Sequence, residues 1–319
     1  MEKKDLRIVF MGTPEFAQTV LRRLVDGGYN VVGVVTMPDK PMGRHGSVLQ
    51  GSAVKNTALE YGLKCLQPER LKDPAFLEEL SALKADLQIV VAFRMLPECV
   101  WSMPRLGTFN LHASLLPQYR GAAPINWAII NGDTETGVTT FFLKHDIDTG
   151  NIIRQERVPI KADDNAGTLH DRLMELGAEV TLQTVDDILS GNVSSVPQDE
   201  SGDLRPAPKI FKETCRIDWN MPARRISDFI RGLSPYPAAW TVLQETDGSM
   251  LDFKVYEAVA VSAPAREPGT VTTDGKNFIE VAAADGALRL LQVQIAGRKR
   301  MPASAFLCGN DLSCGQKFI

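Results

Sequence analysis

The alternation of two apolar patterns constrains the fold of the first half of this chain more than any other feature. Short apolar runs typical of buried strands occupy residues 6–11, 31–35 and 87–93. Amphipathic segments with helical spacing, the clearest at 15–27, separate them. Strands joined through helices pair in parallel by right-handed crossovers. We therefore predict an α/β fold, in which a Rossmann-like, mostly parallel sheet is covered by helices on both faces.

The pattern changes after a long helical segment at 168–189. Residues 190–208 are rich in Gly, Ser, Pro and acidic residues with little periodicity, which is typical of a linker. One further helix is predicted at 223–233. Short strand-like segments between Gly and Asp turns then follow at 239–243, 251–261, 269–271, 278–282 and 288–295. We expect a catalytic-type α/β domain at 1–189, a linker at 190–208 and a small OB-like β-barrel at 209–319.

Composition excludes several classes of protein. The 319 residues are 44% hydrophobic and 23% charged, without an apolar run of membrane-spanning length or a signal-peptide pattern. The five cysteines show no C-x-x-C spacing, and the four histidines show no zinc-like spacing. No exposed apolar stripe is evident. We expect a cytoplasmic monomer without membrane contact, disulfide framework or metal.

Charge is distributed unevenly. The net charge is -4, yet the part from Lys209 onward holds 14 basic and 12 acidic residues, so the excess of acid lies before it. A mildly basic second half is compatible with nucleic-acid contact, although chance also explains so small an excess. Charge alone therefore does not decide between the two interpretations.

The first strand-to-helix turn, Gly12-Thr13-Pro14, lies where a dinucleotide-binding fingerprint would be expected. It lacks the second and third glycines that let the backbone approach a pyrophosphate. A structural turn at the sheet edge is therefore favoured over nicotinamide binding.

The segment from Asn110 to Ile125 contains the most informative polar residues. Asn110 and His112 lie two apart in a predicted strand, so their side chains project from the same face. A carboxamide can donate to a developing oxyanion, and an imidazole can exchange a proton near neutral pH. A buried polar pair that closes a turn is the alternative interpretation.

A second polar cluster, Lys144-His145-Asp146-Ile147-Asp148-Thr149-Gly150, separates two strand-like segments. A carboxylate from this turn placed near His112 would orient the imidazole and stabilise its charged form. The spacing does not choose between Asp146 and Asp148. Together, amide, imidazole and carboxylate could activate an amine nucleophile and hold a tetrahedral oxyanion.

Together with other segments spread over essentially the whole chain, these residues resemble those of a known family. The sequence resembles the folate-dependent formyltransferases and, within that family, the methionyl-tRNA branch. The matching segments are 7–17 (RIVFMGTPEFA), 38–44 (PDKPMGR), 110–125 (NLHASLLPQYRGAAPI), Asp148–Gly150 within HDIDTG, and 230–240 (IRGLSPYPAAW). The N-x-H-x-S-L-L-P and D-T-G motifs are typical of the whole family. The remaining segments favour the tRNA branch.

The resemblance implies roles for individual residues. Asn110, His112 and Asp148 match the catalytic residues of the family. One departure occurs at Phe93-Arg94, where the family has an aromatic residue followed by glycine. The residues that match the folate site are Ser114, Leu115, Leu116, Pro117, Phe93, Arg94, Met95 and Leu96.

The family also implies an RNA partner. The loop 39–48 matches an insertion that reaches the acceptor end of tRNA, with Arg44 as its main functional residue. In the second half, the basic cluster Arg298-Lys299-Arg300 is the strongest candidate for phosphate contact.

The reaction that the resemblance implies is transfer of the formyl group of 10-formyltetrahydrofolate to the α-amine of initiator methionyl-tRNA, with the folate as co-substrate and no metal. Two alternatives stay open at this point. One is a folate-dependent formyltransferase that acts on a small amine, such as a nucleotide-linked aminosugar. The other is a nucleic-acid-binding protein with an inactive Rossmann-like half.

Overall fold

The computed structural model describes residues 2–42, 48–245, 247–310, 312–313 and 316–319. The chain divides into two compact units that are discontinuous in the sequence. The first unit comprises Met1–Gly121, Thr136–Val158 and His170–Pro206, and the second comprises Ala122–Glu135, Pro159–Leu169 and Ala207–Ile319. Two short segments of the first 189 residues thus group with the C-terminal part. The domain limits predicted from the sequence stay a prediction.

Two of the helices begin at a residue whose side chain caps the first turn. Ser52 and Asp73 accept hydrogen bonds from the backbone amides of Lys55 and Ala75 at the starts of the second and third helices. The helices are α1 (Glu15–Asp26), α2 (Ala53–Glu60), α3 (Pro74–Ala82), α4 (Glu98–Trp101), α5 (Pro124–Ile130), α6 (Ala166–Ser190), α7 (Ala223–Leu233) and α8 (Ala303–Leu307), with a 3-10 turn at Glu213–Cys215.

The first unit is built on a seven-stranded sheet with the order β5-β2-β1-β6-β7-β8-β9. Pairing is parallel from β5 to β7, and β8 pairs antiparallel with β7. The strands up to β9 are β1 (Ile8–Gly12), β2 (Val31–Val35), β3 (Lys40–Met42), β4 (Val48–Gln50), β5 (Cys65–Leu66), β6 (Leu87–Val91), β7 (Thr108–His112), β8 (Glu135–Phe142) and β9 (Ile152–Pro159). The predicted Rossmann-like class is confirmed, and β3 and β4 form a separate two-stranded ribbon.

Burial explains why these apolar runs form the centre of the sheet. All residues of β1 and β6 are buried. Helix α1 contributes the buried face that its spacing predicts, including Phe16, Leu21 and Leu24. The sequence-predicted strand 87–93 is longer than β6, which ends at Val91, because Ala92 turns the chain with a left-handed φ of +46°.

The strand order reverses between β1 and β6. The chain leaves β1 toward β2 and β5 on one side, whereas β6 continues into β7 on the other. Loops diverge at such a point, and ligands of open α/β sheets bind in the crevice at the carboxyl ends of the strands. The carboxyl end of β7, next to β6, carries Asn110 and His112.

The second unit contains a nearly closed antiparallel barrel with the order β12-β13-β14-β11-β10-β16. A bridge between Thr270 and Lys317 joins its two ends. Three aromatic rings fill its centre, with Phe253 lying 5.4 Å from Phe306 and 5.0 Å from Phe318 between ring centroids. The strands are β10 (Ala239–Gln244), β11 (Met250–Val261), β12 (Val271–Thr273), β13 (Ile279–Ala283), β14 (Gly286–Ile295), β15 (Met301–Pro302) and β16 (Lys317–Phe318). The predicted barrel is confirmed.

Among the helices of the described ranges, none combines the length and apolar character needed to cross a bilayer.

Candidate active site

His112 lies at the carboxyl end of β7 with only 7% of its surface exposed. Its Nε2 is 2.8 Å from the carbonyl oxygen of Tyr119. A carbonyl oxygen can only accept, so Nε2 carries a hydrogen and donates it. In the neutral ring, Nδ1 is therefore the nitrogen with a free lone pair, and it lies 3.8 Å from Oδ2 of Asp148.

Tyr119 is held firmly enough to orient this imidazole. Its backbone has a left-handed φ of +61°, and its N–H donates to the carbonyl of Arg205 at 2.7 Å. Its ring is buried, and Arg205 Nη1 donates to its hydroxyl at 3.4 Å. The carbonyl that accepts from His112 is thus fixed by contacts on both sides of the same residue.

Asp148 lies in the loop between β8 and β9 and also has a left-handed backbone, with φ of +55°. The backbone N–H of Gly121 donates to its Oδ2 at 2.9 Å. Asp146, the alternative left open by the spacing, is exposed, and its carbonyl accepts from the Thr149 hydroxyl. The structure therefore brings Asp148 to His112.

Asn110 lies between Val90 of β6 and Phe141 of β8 in the sheet register. The residue is half-buried, on the same face of β7 as His112. Its carboxamide forms no hydrogen bond with any residue in the described part of the chain. The NH₂ group is thus available to a ligand.

The segment after β7, which the sequence predicts to line a folate site, is fixed mainly through its backbone. The Thr139 hydroxyl donates to the carbonyl of Ser114 at 2.6 Å, and Thr139 Oγ1 accepts from the N–H of Leu116. Ser114 and Leu116 are buried, whereas Leu115 and Pro117 are half-buried.

The loop after β6 holds the remaining predicted folate residues. Arg94 reaches away from its own loop, since its guanidinium donates to the carbonyls of Pro68 and Glu69. Burial lowers the pKa of this guanidinium. Met95 is 74% exposed, Leu96 is buried, and Phe93 packs on the apolar core of the first unit. Arg94 thus ties two loops together.

A segment that the sequence suggested to be a linker forms part of the site. Residues 196–205, which we call the strap, run beside the loops that carry Asp148 and Tyr119. In the strap, Gln198 Nε2 donates to the carbonyls of Asp148 and Gly150, and Arg205 contacts Tyr119. These residues were missed because low periodicity was the only local signal, and their partners are distant in sequence.

The predicted RNA-contact residues fall in different places. Arg44 lies outside the described residues. Arg298, Lys299 and Arg300 are exposed between β14 and β15, and the Arg300 guanidinium lies 4.7 Å from the centroid of the Tyr256 ring. They form a basic turn on the second unit.

The second unit also contains a cavity of about 710 Å³ that the sequence did not predict. Its lining combines cations and aromatic rings around one carboxylate, Asp252. The Lys212 ammonium lies 5.7 Å from the Trp240 ring centroid, and Tyr236 is 83% exposed. The charged and aromatic residues that line it are Lys209, Lys212, Lys254, Asp252, Phe211, Tyr236, Trp240 and Phe253.

Within the described ranges, no group of three or more His, Cys, Asp or Glu side chains is placed to hold a metal ion.

Comparison with known proteins identifies the class that this fold and site define. Residues 6–185 match the family model described as formyl transferase, and residues 209–311 match the model of the formyl transferase C-terminal domain. Among curated relatives, the chain is 65% identical over 97% of both sequences to a methionyl-tRNA formyltransferase of Parabacteroides distasonis. It is 61% identical, with 98% coverage of both, to that of Bacteroides fragilis. The chain belongs to the methionyl-tRNA formyltransferase family.

Solved structures with the same fold are more distant in sequence. An N-formyltransferase from Helicobacter canadensis, in complex with folinic acid and dTDP-3-aminofucose, matches with a TM-score of 0.65 and 19% identity, covering 91% of this chain and 100% of that one. HypX from Aquifex aeolicus, in complex with tetrahydrofolic acid, matches with a TM-score of 0.63 and 18% identity. The match covers 95% of this chain but 47% of HypX. At these identities the likeness concerns the fold.

Proposed function

We propose that the protein transfers the formyl group of 10-formyltetrahydrofolate to the α-amine of methionyl-initiator-tRNA. The observation that carries this proposal is the pair formed by the buried His112, at the end of β7, and the half-buried Asp148, in a chain that aligns along its length with methionyl-tRNA formyltransferases. The pair offers a proton acceptor beside a fixed carboxylate, which is what an amine nucleophile requires.

His112 acts as the proton acceptor through Nδ1. As the amine nitrogen bonds to the formyl carbon, the proton that it releases passes to Nδ1, directly or through a water. Asp148 Oδ2, 3.8 Å away, stabilises the resulting imidazolium. The hydrogen on Nε2 remains bonded to the Tyr119 carbonyl throughout, so the ring keeps its orientation.

Asn110 stabilises the oxyanion that forms when the amine adds to the formyl carbon. Its NH₂ group donates to the former formyl oxygen, and one well-placed donor of this kind is worth about 10²–10³-fold in rate. The tetrahedral adduct then collapses. The bond from carbon to the folate N10 breaks as the proton held by His112 passes to that nitrogen, so N10 leaves as a neutral amine and tetrahydrofolate is released.

The folate is held by the two loops that leave β6 and β7. Both loops begin at the carboxyl ends of neighbouring strands beside the switch point, where ligands of this fold class bind. Support comes from HypX, which shares the fold and was solved with tetrahydrofolic acid. Apolar residues of these loops that are available to a flat ring include the half-buried Leu115 and Pro117 and the exposed Met95.

The RNA binds through the cationic and aromatic surface of the second unit. Lys209, Lys212 and Lys254 are exposed at the cavity, where ammonium groups can contact phosphates. Exposed rings such as Tyr236 can stack on unpaired bases. The basic turn at Arg298–Arg300 adds cations that contribute to the same electrostatic attraction.

The test is formyl transfer from 10-formyltetrahydrofolate to methionyl-initiator-tRNA by the native protein and by His112→Ala. We expect the substitution to lower kcat by about 10²–10⁴-fold, the usual contribution of general acid–base catalysis. Thermal unfolding and folate binding measured on the same variant separate this loss from misfolding.

Two controls define the acceptor. Uncharged tRNA should accept no formyl group, because it lacks the amine. A nucleotide-linked aminosugar should be a poor acceptor at the same concentration. Near-normal turnover by a folded His112→Ala protein would contradict the mechanism, and efficient transfer to the aminosugar with none to methionyl-tRNA would contradict the substrate assignment.

A further inference from the structure

We propose that Gln198, in the strap, is a positioning residue that sets the place of Asp148 and thereby the rate of formyl transfer. The inference rests on the proposed function for the role of Asp148. It adds a residue outside the segments that match the catalytic motifs of the family.

Gln198 uses the full hydrogen-bonding capacity of its side chain. Its Nε2 donates to the carbonyl of Asp148 at 2.7 Å and to the carbonyl of Gly150 at 2.8 Å. Its Oε1 accepts from Nε and Nη2 of Arg120, at 3.1 Å and 2.6 Å. A carboxamide offers two N–H donors and two lone pairs, and all four are engaged. Such a side chain has one orientation.

The backbone of Asp148 needs support from surrounding groups. A non-glycine residue with φ of +55° lies in a sparsely populated region, and such conformations persist only where surrounding contacts impose them. Gln198 fixes the carbonyl of Asp148, and the N–H of Gly121 fixes its carboxylate oxygen. Main chain and side chain are therefore held by separate groups, which places Oδ2 at its distance from His112.

The rest of the strap keeps Gln198 in place. On one side, Val196 and Ile152 exchange backbone hydrogen bonds at 2.8 and 2.9 Å. On the other side, Arg120 Nη2 forms an ion pair with Glu200 at 2.6 Å.

At its far end the strap also supports Tyr119. The carbonyl of Arg205 accepts from the Tyr119 N–H, and the Tyr119 carbonyl accepts from His112. The same ten-residue segment thus determines what faces each of the two nitrogens of His112. Gln198 is the member that acts on the Nδ1 side, through Asp148.

The first test compares Gln198→Ala and Gln198→Glu with the native protein in formyl transfer to methionyl-tRNA. The glutamate variant is nearly isosteric and keeps the contact with Arg120, but its carboxylate cannot donate to the two carbonyls. We expect both variants to lose about 10–100-fold in kcat, since displacements of about 1 Å at a site cost up to about 10²-fold. The KM values for folate and tRNA should change by less than about 2-fold, because this scheme places neither ligand on Gln198.

Asp199→Asn is the matched control. It removes an exposed strap charge whose hydrogen bonds in the described chain go to Ser201 alone, so it touches neither Arg120 nor Asp148, and its kcat should stay within about 2-fold of native. Unchanged kcat in both Gln198 variants would overturn the inference. So would a fall in kcat for Asp199→Asn as large as theirs. In either case transfer by the native protein would leave the proposed function intact.

A double-mutant cycle distinguishes positioning from general support of the fold. If Gln198 acts through Asp148, Gln198→Ala should lower single-turnover transfer by less than about 2-fold in an Asp148→Ala background. An undiminished loss in that background would overturn the inference, since it would show that Gln198 acts elsewhere. Failure of the native protein to transfer formyl groups would instead overturn the proposed function.

Discussion

The candidate active site in the first unit and the basic surface of the second differ in how their functional groups are held. At the active site, His112 is buried and Asp148 is fixed through its backbone and its carboxylate. On the second unit, the lysines of the cavity are exposed, and the only hydrogen bond that Lys254 Nζ forms in the described chain is a long one, 3.4 Å, to the Pro237 carbonyl.

This difference follows from what each region must recognise. Proton transfer and oxyanion stabilisation depend on distances controlled to a fraction of an ångström. Attraction of a phosphate backbone depends mainly on the number of cations and is screened by salt. Substitutions in the first region should therefore act on the rate of chemistry, and those in the second on tRNA affinity.

The largest effect is expected at Gly150. A methyl group there would overlap the carbonyl oxygen of Phe142, and the main chain at this point is held by the hydrogen bond from the Phe142 N–H to the Asn151 carbonyl at 3.0 Å. The loop of Asp148 would have to move. We expect Gly150→Ala to lower kcat by about 10²-fold or more and to destabilise the protein by about 1–3 kcal/mol. Turnover and thermal unfolding measure the two effects.

Gly202→Ala serves as the comparison for Gly150. A methyl group at Gly202, in the strap, meets nothing within 4 Å, and this glycine has no left-handed φ. The free energy of unfolding of Gly202→Ala should stay within about 0.5 kcal/mol of that of the native protein. If Gly150→Ala were as active as Gly202→Ala, the active site would tolerate displacement of its loop. Precise placement of groups would then no longer distinguish the active site from the basic surface of the second unit.

The sequence predicted those parts of the site that depend on local regularity. Alternation along a strand put Asn110 and His112 on one face, and β7 has that geometry. Alternating segments between turns predicted the barrel, and helix α7 has the predicted limits, 223 to 233. These features arise from periodic burial, which a sequence displays directly.

The strap could not be predicted in this way. The hydrogen bond from Gln198 to Asp148 spans 50 positions, and a glutamine in a segment of low periodicity carries no signal of its partner. The choice of Asp148 over Asp146 depends on a left-handed backbone conformation, which spacing does not specify. Likewise, Arg94 binds two carbonyls of a loop about 25 residues away, so its role is visible only in three dimensions.

A smaller effect, and one of a different kind, is expected at the cavity of the second unit. We expect a rise of about 3–10-fold in the KM for tRNA for each of the variants Lys209→Gln, Lys212→Gln and Lys254→Gln. The slope of the logarithm of the binding constant against the logarithm of the salt concentration should also become shallower by about one unit. At saturating tRNA, kcat should remain near native because the chemistry is unchanged. Measurement of KM between low and moderate salt checks both statements.

Lys276→Gln provides the control for these lysines. Lys276 is also exposed on the second unit, but it is not part of the cavity lining. If its substitution raised KM as much as the cavity variants do, net charge alone would account for tRNA binding, and the cavity would have no special role.

The smallest effect is expected at the basic turn. Arg298, Lys299 and Arg300 are all exposed, and Arg300 lies over the ring of Tyr256. The Tyr256 ring beside the turn is covered by Arg300, whereas the cavity lysines lie beside exposed rings such as Tyr236, so the cations of the turn add only an attraction that salt screens. We expect single glutamine substitutions to raise the KM for tRNA by about 2-fold or less, with kcat unchanged and the salt slope nearly so. Titration of tRNA binding at several salt concentrations tests this ranking. A larger effect at the turn than at the cavity would move the principal RNA contact to the β14–β15 turn, although charge would still govern the second unit.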